Sequence, residues 1–166
     1  MNLIVAVDET FGIGKSDKLL TYLPEDLKRF KQMTLGKILI MGRKTIESLP
    51  GQKLLPGRET WILSRDIKYK KEGAIVFHSV ESILDYIKSQ NIESNTVFVA
   101  GGAMIYDTFL PLCRTAYVTK IHADFQADTH MINLDFVPEF YIAHVGASKT
   151  YGLFEYTYIE YRQKEQ

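Results

Sequence analysis

A single cysteine, Cys113, in 166 residues leaves no partner for an internal disulfide and suits a reducing compartment. Neither sign of charge is in excess. Twenty Lys and Arg meet twenty Asp and Glu, which removes the electrostatic case for nucleic acid or an anionic membrane as partner. No apolar run approaches the ~20 residues of a membrane helix, and residues 1–8 carry no basic leader ahead of their short apolar stretch. A cytoplasmic protein is therefore expected. The four histidines, His78, His122, His130 and His144, lack metal-ligand spacing, so no metal is expected. Internal repeats, low-complexity tracts and Ser/Pro-rich linkers are also missing, which predicts one domain over residues 1–166. An apolar content of 46% is enough to fill its core. No large apolar surface stripe requires a second subunit, and a monomer is expected.

What is present is a regular punctuation of short apolar runs at 3–7, 38–41, 60–63, 74–77, 97–100 and 116–121. β-Branched runs of this length, bounded by Gly or polar residues, read as strands buried on both faces. Amphipathic stretches at 24–33, 45–49, 80–89 and 103–109 lie between them. This alternation predicts an α/β fold with a central, mostly parallel sheet and helices on both faces. The segments 140–147 and 154–162 have only a loop between them and predict a C-terminal antiparallel hairpin, with the Tyr-rich stretch 151–161 as an edge strand. Trp61 sits inside a predicted strand and reads as core.

Asp26 stands out. In Leu23-Pro24-Glu25-Asp26-Leu27-Lys28-Arg29-Phe30-Lys31-Gln32-Met33 the proline suits the first helical turn, where its missing N–H is no loss. A winding of ~100° per residue puts Leu27, Phe30 and Met33 on one side with Asp26 inside their arc. Asp26 could simply complement the helix dipole, but Glu25 already does so from the solvent side. A carboxylate in an apolar wall suits a ligand that presents two adjacent N–H donors.

Ligands of open α/β sheets bind beyond the carboxyl ends of strands, and the segments there are rich in groups that suit phosphate. Phe11-Gly12-Ile13-Gly14-Lys15 lets backbone approach a flat ligand, or is a plain turn. Met41-Gly42-Arg43-Lys44-Thr45 combines helix-start N–H groups, a hydroxyl and two cations, or is a solvated basic turn. Ser64-Arg65 ends a strand, where Arg either pairs with phosphate or lies idle at the surface. The pair Gly101-Gly102 joins a buried strand to a helix; it either admits a pyrophosphate or eases close packing. Together these loops favour a dinucleotide over a single phosphate.

The motifs Ile4-Val5-Ala6, Gly12-Ile13-Gly14, Leu23-Pro24-Glu25-Asp26-Leu27, Met41-Gly42-Arg43-Lys44-Thr45-Ile46-Glu47-Ser48-Leu49, Leu55-Pro56-Gly57-Arg58, Ile62-Leu63-Ser64-Arg65, Gly101-Gly102-Ala103-Met104-Ile105-Tyr106 and Asp128-Thr129-His130 occur in the order found in dihydrofolate reductases of the bacterial chromosomal type. The chain resembles that family over nearly its whole length. The resemblance implies NADPH-dependent reduction of 7,8-dihydrofolate to tetrahydrofolate. It gives Asp26 the pterin N3 and 2-amino group as partners, with Thr119 bonded to that carboxylate. Ile4, Val5, Leu19, Leu27, Phe30, Leu49, Leu55 and Tyr106 are implied around the substrate, and Arg58 at the α-carboxylate of its glutamate tail. Tyr106 also helps close the nicotinamide pocket. For the cofactor it implies Ala6, Ile13 and Gly14 near the nicotinamide, and Gly42, Arg43, Lys44, Thr45, Leu63, Ser64, Arg65, His78, Gly101, Gly102, Ala103, Met104 and Ile105 around the phosphates and adenosine. Family members carry a cis peptide at the glycine pair.

Two positions depart from the pattern. Thr21 stands where many members carry a Trp that orders a water and buttresses the mobile loop. Met104 stands where some carry an arginine near the 2′-phosphate, which leaves NADPH preference to Arg43 and Arg65. The rival readings are a pyrimidine reductase of riboflavin synthesis, which would share the phosphate loops, and a sensor module that holds NADPH without turnover. The Asp26 helix and the Leu55-Pro56-Gly57-Arg58 segment favour folate.

Overall fold

The apolar runs pair into one sheet that draws strands from both ends of the chain. The computed structural model describes residues 1–166. In chain order the elements are β1 (Asn2–Val7), β2 (Gly12–Gly14), α1 (Pro24–Thr34), β3 (Ile38–Gly42), α2 (Arg43–Ser48), β4 (Glu59–Leu63), β5 (Ala74–Phe77), α3 (Val80–Ser89), β6 (Val97–Val99), α4 (Ala103–Phe109), β7 (Thr115–Ile121), β8 (Thr129–His130), β9 (Phe140–Val145), β10 (Lys149–Tyr151) and β11 (Phe154–Gln163). The main sheet runs β10-β11-β7-β1-β6-β3-β4-β5, with β9 also bonded to β11. Pairings from β7 across to β5 are parallel, and every pairing of β11 is antiparallel.

The period of two along each strand sorts side chains between two layers. Leu3, Val5 and Val7 of β1, Ile38 and Ile40 of β3, and Val97 and Val99 of β6 face one layer, which α3 and α4 close with Ile83, Ile105 and Phe109. Ile4, Leu39, Met41 and Phe98 face the other, which α1 and α2 cover with Phe30, Met33 and Ile46. The first layer holds 24 buried apolar residues and the second only six. Around those six, Phe30, Met33, Leu49, Leu54 and Leu55 remain only partly buried. The second layer therefore keeps apolar surface that the chain does not cover, as a ligand cleft requires.

α1 begins with Pro24 in its first turn and no side-chain cap, and ends one residue beyond the predicted stretch, with the Thr34 hydroxyl donating back to the Phe30 carbonyl at 2.7 Å. Gly36, at φ +74°, then turns the chain into β3 in a conformation that suits glycine. The expected parallel sheet with helices on both faces is observed, and no helix is long and apolar enough to cross a membrane.

Three expectations need correction. β11 is not an edge strand: β7 bonds one side of it, and β9 and β10 share the other. Tyr156, Ile159 and Tyr161 on it are buried against the residues that cover the faces of the sheet. The predicted antiparallel pairing of 140–147 with 154–162 is observed between β9 and β11, and the loop between them adds a tight hairpin of β10 and β11 around Gly152 and Leu153. The second helix starts at Arg43 rather than residue 45, so Arg43 and Lys44 stand in its first turn and not in a loop. Lastly, the stretch around Gly12-Ile13-Gly14 is neither a bare loop nor a turn; it forms β2, antiparallel to β8.

Asp8 ties these loops to the sheet. Its side chain is wholly buried at the end of β1. Oδ1 accepts from Thr10 N (2.9 Å), Thr10 Oγ1 (2.8 Å) and Gly12 N (2.9 Å), and Oδ2 accepts from Phe125 N (3.2 Å). Burial raises its pKa, but these bonds to the charged form outweigh burial and hold it below the ordinary carboxylate value. Across the same junction, Asp128 Oδ2 accepts from Ser16 N at 2.8 Å, and Asp128 N donates to Gly14 O. Replacing Asp8 with Ala would strand buried N–H groups, a cost of about 2–4 kcal/mol. Because the folded pKa is lowered, that stabilisation is present above the ordinary carboxylate pKa and fades as pH falls through the folded value. Urea unfolding of wild type and Asp8→Ala should therefore differ most near neutrality and converge in acid.

Candidate active site

Parallel strands bring β1 and β7 side by side in six-residue register, with Ala6 opposite Thr119. Thr119 points into the α1 side and donates its hydroxyl to Asp26 Oδ1 at 2.5 Å. Thr119 is buried and Asp26 half-buried. Oδ2 of Asp26 has no hydrogen bond within the protein, and it is not among the sealed, unsatisfied polar atoms. It is therefore open to a donor from the cleft. Burial pushes the Asp26 carboxyl above its ordinary pKa, against the lowering effects of the Thr119 hydrogen bond and the Arg29 charge.

The walls are apolar. Ile4 is buried in the second layer, where Phe30, Leu49 and Leu55 pack around it. Val5 faces the first layer instead, and only its backbone adjoins the α1 side. Leu27, next to Asp26, is 43% exposed, an apolar surface that no part of the chain covers. Leu19 is not brought to this wall; it is 74% exposed on the loop before α1 and outside the apolar clusters. Thr21 is half-buried in the same loop, just ahead of Leu23. Tyr106 is buried, and its hydroxyl donates to the Ile4 carbonyl at 2.9 Å. Burial, helped by the charge of Asp26, raises the Tyr106 pKa and keeps it a neutral donor. Arg58, half-buried at the far end, donates Nε to Pro56 O (3.0 Å) and Nη1 to Thr34 Oγ1 (3.4 Å). These bonds hold its planar fork at the foot of α1, ready for a carboxylate.

The other half of the site lies at the carboxyl ends of β3, β4 and β6. Gly42 N donates to Gly101 O at 2.8 Å, which locks the β3 end to the glycine pair. A Cβ on Gly42 would come within 3.1 Å of Ile105, and one on Gly102 within 3.3 Å of Thr45 Oγ1. Gly101, at φ +114°, would press a side chain on the Tyr106 ring, and its peptide to Gly102 is cis. α2 and α4 start here, neither with a side-chain cap, so their first-turn N–H groups have no intrahelical acceptor. Lys44 and Arg65 are exposed beside them, Arg65 reaching Met104 Sδ at 3.8 Å. Leu63 and Ala103 are half-buried, and Ile105 is buried. Ser64 is buried, its hydroxyl accepting from Asp66 N at 3.3 Å and its carbonyl bonded to His78 Nδ1 at 2.8 Å. Ile13 and Gly14 are carried by β2. Uncapped helix starts, exposed cations and three glycines at one point fit a pyrophosphate-bearing dinucleotide.

Arg43, expected from the sequence to meet a phosphate or to lie in a solvated basic turn, is engaged by groups of the protein itself. Its Nε pairs with Glu47 Oε1 (2.7 Å), its Nη1 with Asp66 Oδ2 (3.2 Å), and its guanidinium lies 4.5 Å from the Tyr69 ring centroid. Sequence reasoning also missed Asp8, although an acid directly after an apolar run and four residues before a glycine was a usable signal. It passed over Arg29 and Tyr158, which flank Asp26, because nothing local connects residues 129 positions apart.

Comparison with known proteins gives one answer. The family model described as dihydrofolate reductase matches residues 1–163. The chain is 38% identical over 136 residues to dihydrofolate reductase of Mycobacterium leprae, covering 81% of this chain and 76% of that protein. It is 35% identical over 135 residues to that of Bacillus subtilis, covering 81% and 77%. Its structure resembles the dihydrofolate reductase from Enterococcus faecalis complexed with NADP(H) and RAB-propyl, with a TM-score of 0.84, 32% identity, and coverage of 99% of this chain and 96% of that one.

The raised pKa of Asp26 has a thermodynamic consequence. A carboxyl whose folded pKa exceeds its unfolded value contributes stability below the unfolded pKa and loses it as pH rises through the folded one. An Asp26→Asn variant, which never ionises, should therefore melt higher than wild type at pH 7–8, and the gap should close as the pH is lowered towards 4. Thermal melts across that range check it.

Proposed function

The chain belongs to the dihydrofolate reductase family, and from that premise we propose how its residues divide the work of reducing 7,8-dihydrofolate to 5,6,7,8-tetrahydrofolate with NADPH. NADPH, when bound, would supply the hydride for C6 of the pterin. The protein supplies alignment and polarity. Asp26 anchors the pterin through N3 and the 2-amino group, with Oδ2 as its free acceptor and Thr119 holding Oδ1. Ile4, Leu27, Phe30, Leu49 and Leu55 form the apolar walls along the substrate, with Val5 behind them in β1. Arg58 takes the α-carboxylate of the tail. Asp26 lies across the ring from N5, so a water carries the proton there.

Ala6, Ile13 and Gly14 border the nicotinamide, and Tyr106 closes its floor through its bond to Ile4. Gly42, Lys44, Thr45 and Gly101 to Ile105 cradle the phosphates, and Leu63, Ser64, Arg65 and His78 border the adenosine. The chain acts as a cytoplasmic monomer of one domain over residues 1–166. Neither the pyrimidine-reductase nor the sensor reading accounts for a half-buried carboxylate whose free oxygen faces an apolar cleft.

The observation that carries this reading is the Thr119–Asp26 hydrogen bond inside that cleft. Purified protein should consume NADPH only when dihydrofolate is present. Asp26→Asn should lose turnover by about 10²–10⁴ at neutral pH, the usual worth of a positioned acid. Near-normal turnover in that variant would sink the assignment. With Met104 in place of a further cation, discrimination against NADH rests on Arg43 and Arg65. Removing both should bring the dissociation constants for NADPH and NADH close together; an unchanged ratio, measured by cofactor fluorescence, would refute it.

A further inference from the structure

Arg29 is a half-buried cation with no anion of its own. It sits three residues after Asp26 in α1, so both project from neighbouring positions on one flank of the helix. The ion pairs of the chain are Arg43–Glu47, Arg43–Asp66, Lys120–Asp135, Lys149–Glu25 and Arg162–Glu160, and Arg29 takes part in none. What fixes it is a ring: its guanidinium carbon lies 3.9 Å from the centroid of Tyr158. Tyr158 is the register partner of Thr119 across β11 and β7, and Thr119 holds Asp26. A continuous chain of contacts thus runs from Arg29 through Tyr158 and Thr119 back to the carboxyl. A guanidinium free to swing into water would be screened; one held on the face of the half-buried Tyr158 ring keeps its field on its neighbours.

Other charges around Asp26 are already spoken for. Glu25 of α1 is bonded to Lys149 of β10 at 2.5 Å and accepts from Tyr156 of β11 at 2.9 Å, so this acid and base largely cancel. Lys149 also lies 5.6 Å from the Tyr158 ring. The hydroxyl of Tyr158 is buried without a hydrogen-bond partner, and the Tyr158 pKa is raised by burial and by the charges of Asp26 and Glu25. Tyr106, from α4, likewise stays neutral. Thr119, from β7, carries no charge. Arg29 is left as the uncompensated charge beside the carboxyl, and its influence on Asp26 is a lowering one.

We infer that Arg29, pinned on the face of Tyr158, is a positioning residue that sets the charge state of the Asp26 carboxyl and so the pH range in which the site works. It opposes the burial that would otherwise keep Asp26 protonated. Its effect on turnover rests on the catalytic role proposed above for Asp26; its effect on the carboxyl does not.

The test is a carboxyl-carbon NMR titration of the protein without ligands, with the Asp26 signal identified by its absence in Asp26→Asn. Arg29→Met and Arg29→Gln should each raise the Asp26 midpoint by about one unit, the lower end of what a nearby opposite charge does. Arg29→Lys, which keeps the charge, should restore most of that shift. Tyr158→Leu, which removes the ring but not the cation, should move the midpoint in the same upward direction. A midpoint that stays at the wild-type value in whichever of the neutral variants folds would overturn the inference. The pH profile of turnover then separates the two readings. A limb that is absent in Asp26→Asn and moves with the NMR midpoint supports both. A midpoint that moves while the limb stays leaves Arg29 in control of the carboxyl and removes Asp26 from the rate-setting chemistry.

Discussion

β1 is bonded along both edges, to β6 on one side and over six consecutive residues to β7 on the other. Much of the chemistry of the molecule hangs from that seam. Its register sets Thr119 beside Ala6, and so delivers the hydroxyl that holds Asp26 from a strand 93 residues away. The carbonyl of Ile4, midway along β1, receives the Tyr106 hydroxyl and ties α4 to the same strand. At the end of β1, Asp8 gathers the backbone of two loops. A slip of one residue between β1 and β7 would turn Thr119 to the opposite layer and leave Asp26 unsupported.

The site is built at a cost to the fold. One layer of the sheet is filled with 24 buried apolar residues, whereas the other stops at six and leaves Phe30, Leu49 and Leu55 partly bare. Asp26 is inserted into that same layer, where burial disfavours its charged form. The fold tolerates both because the larger layer is fully packed and secures the sheet. Asp8 shows the opposite balance: it is more deeply enclosed, yet four hydrogen bonds make its charged form the favoured one. Two acids of one chain, one buried and one half-buried, are thus pushed in opposite directions by the number of donors they meet.

The residues proposed to face the cofactor show why spacing alone reads only part of a site. Lys44, Arg65, Gly101 and Gly102 could be picked out because each follows an apolar run, and strand ends gather at one edge of a parallel sheet. Arg43 could be picked out for the same reason. Its engagement by Glu47 follows from helical i, i+4 spacing once the helix is known to begin at Arg43. Its engagement by Asp66 and Tyr69 depends on how β3 and β4 align, which no local pattern carries. The same holds for β2 and β8. They are three and two residues long, too short for any periodicity, and they find each other across more than a hundred residues.

Along the chain, alternation and helical winding are local properties, set by steric preference and by the face that must leave water. They were enough to determine the longer parallel strands, the approximate helices, the inward turn of Asp26 and, through the ordered motifs, the family. Tertiary structure alone decided which groups meet. It placed β11 inside the sheet and not at its edge, brought Thr119 to Asp26, set Arg29 on Tyr158, and closed Asp8 around two loops. Each of these is a pairing of residues distant in sequence. Its energy depends on register and on exclusion of water, and neither exists until the sheet has closed.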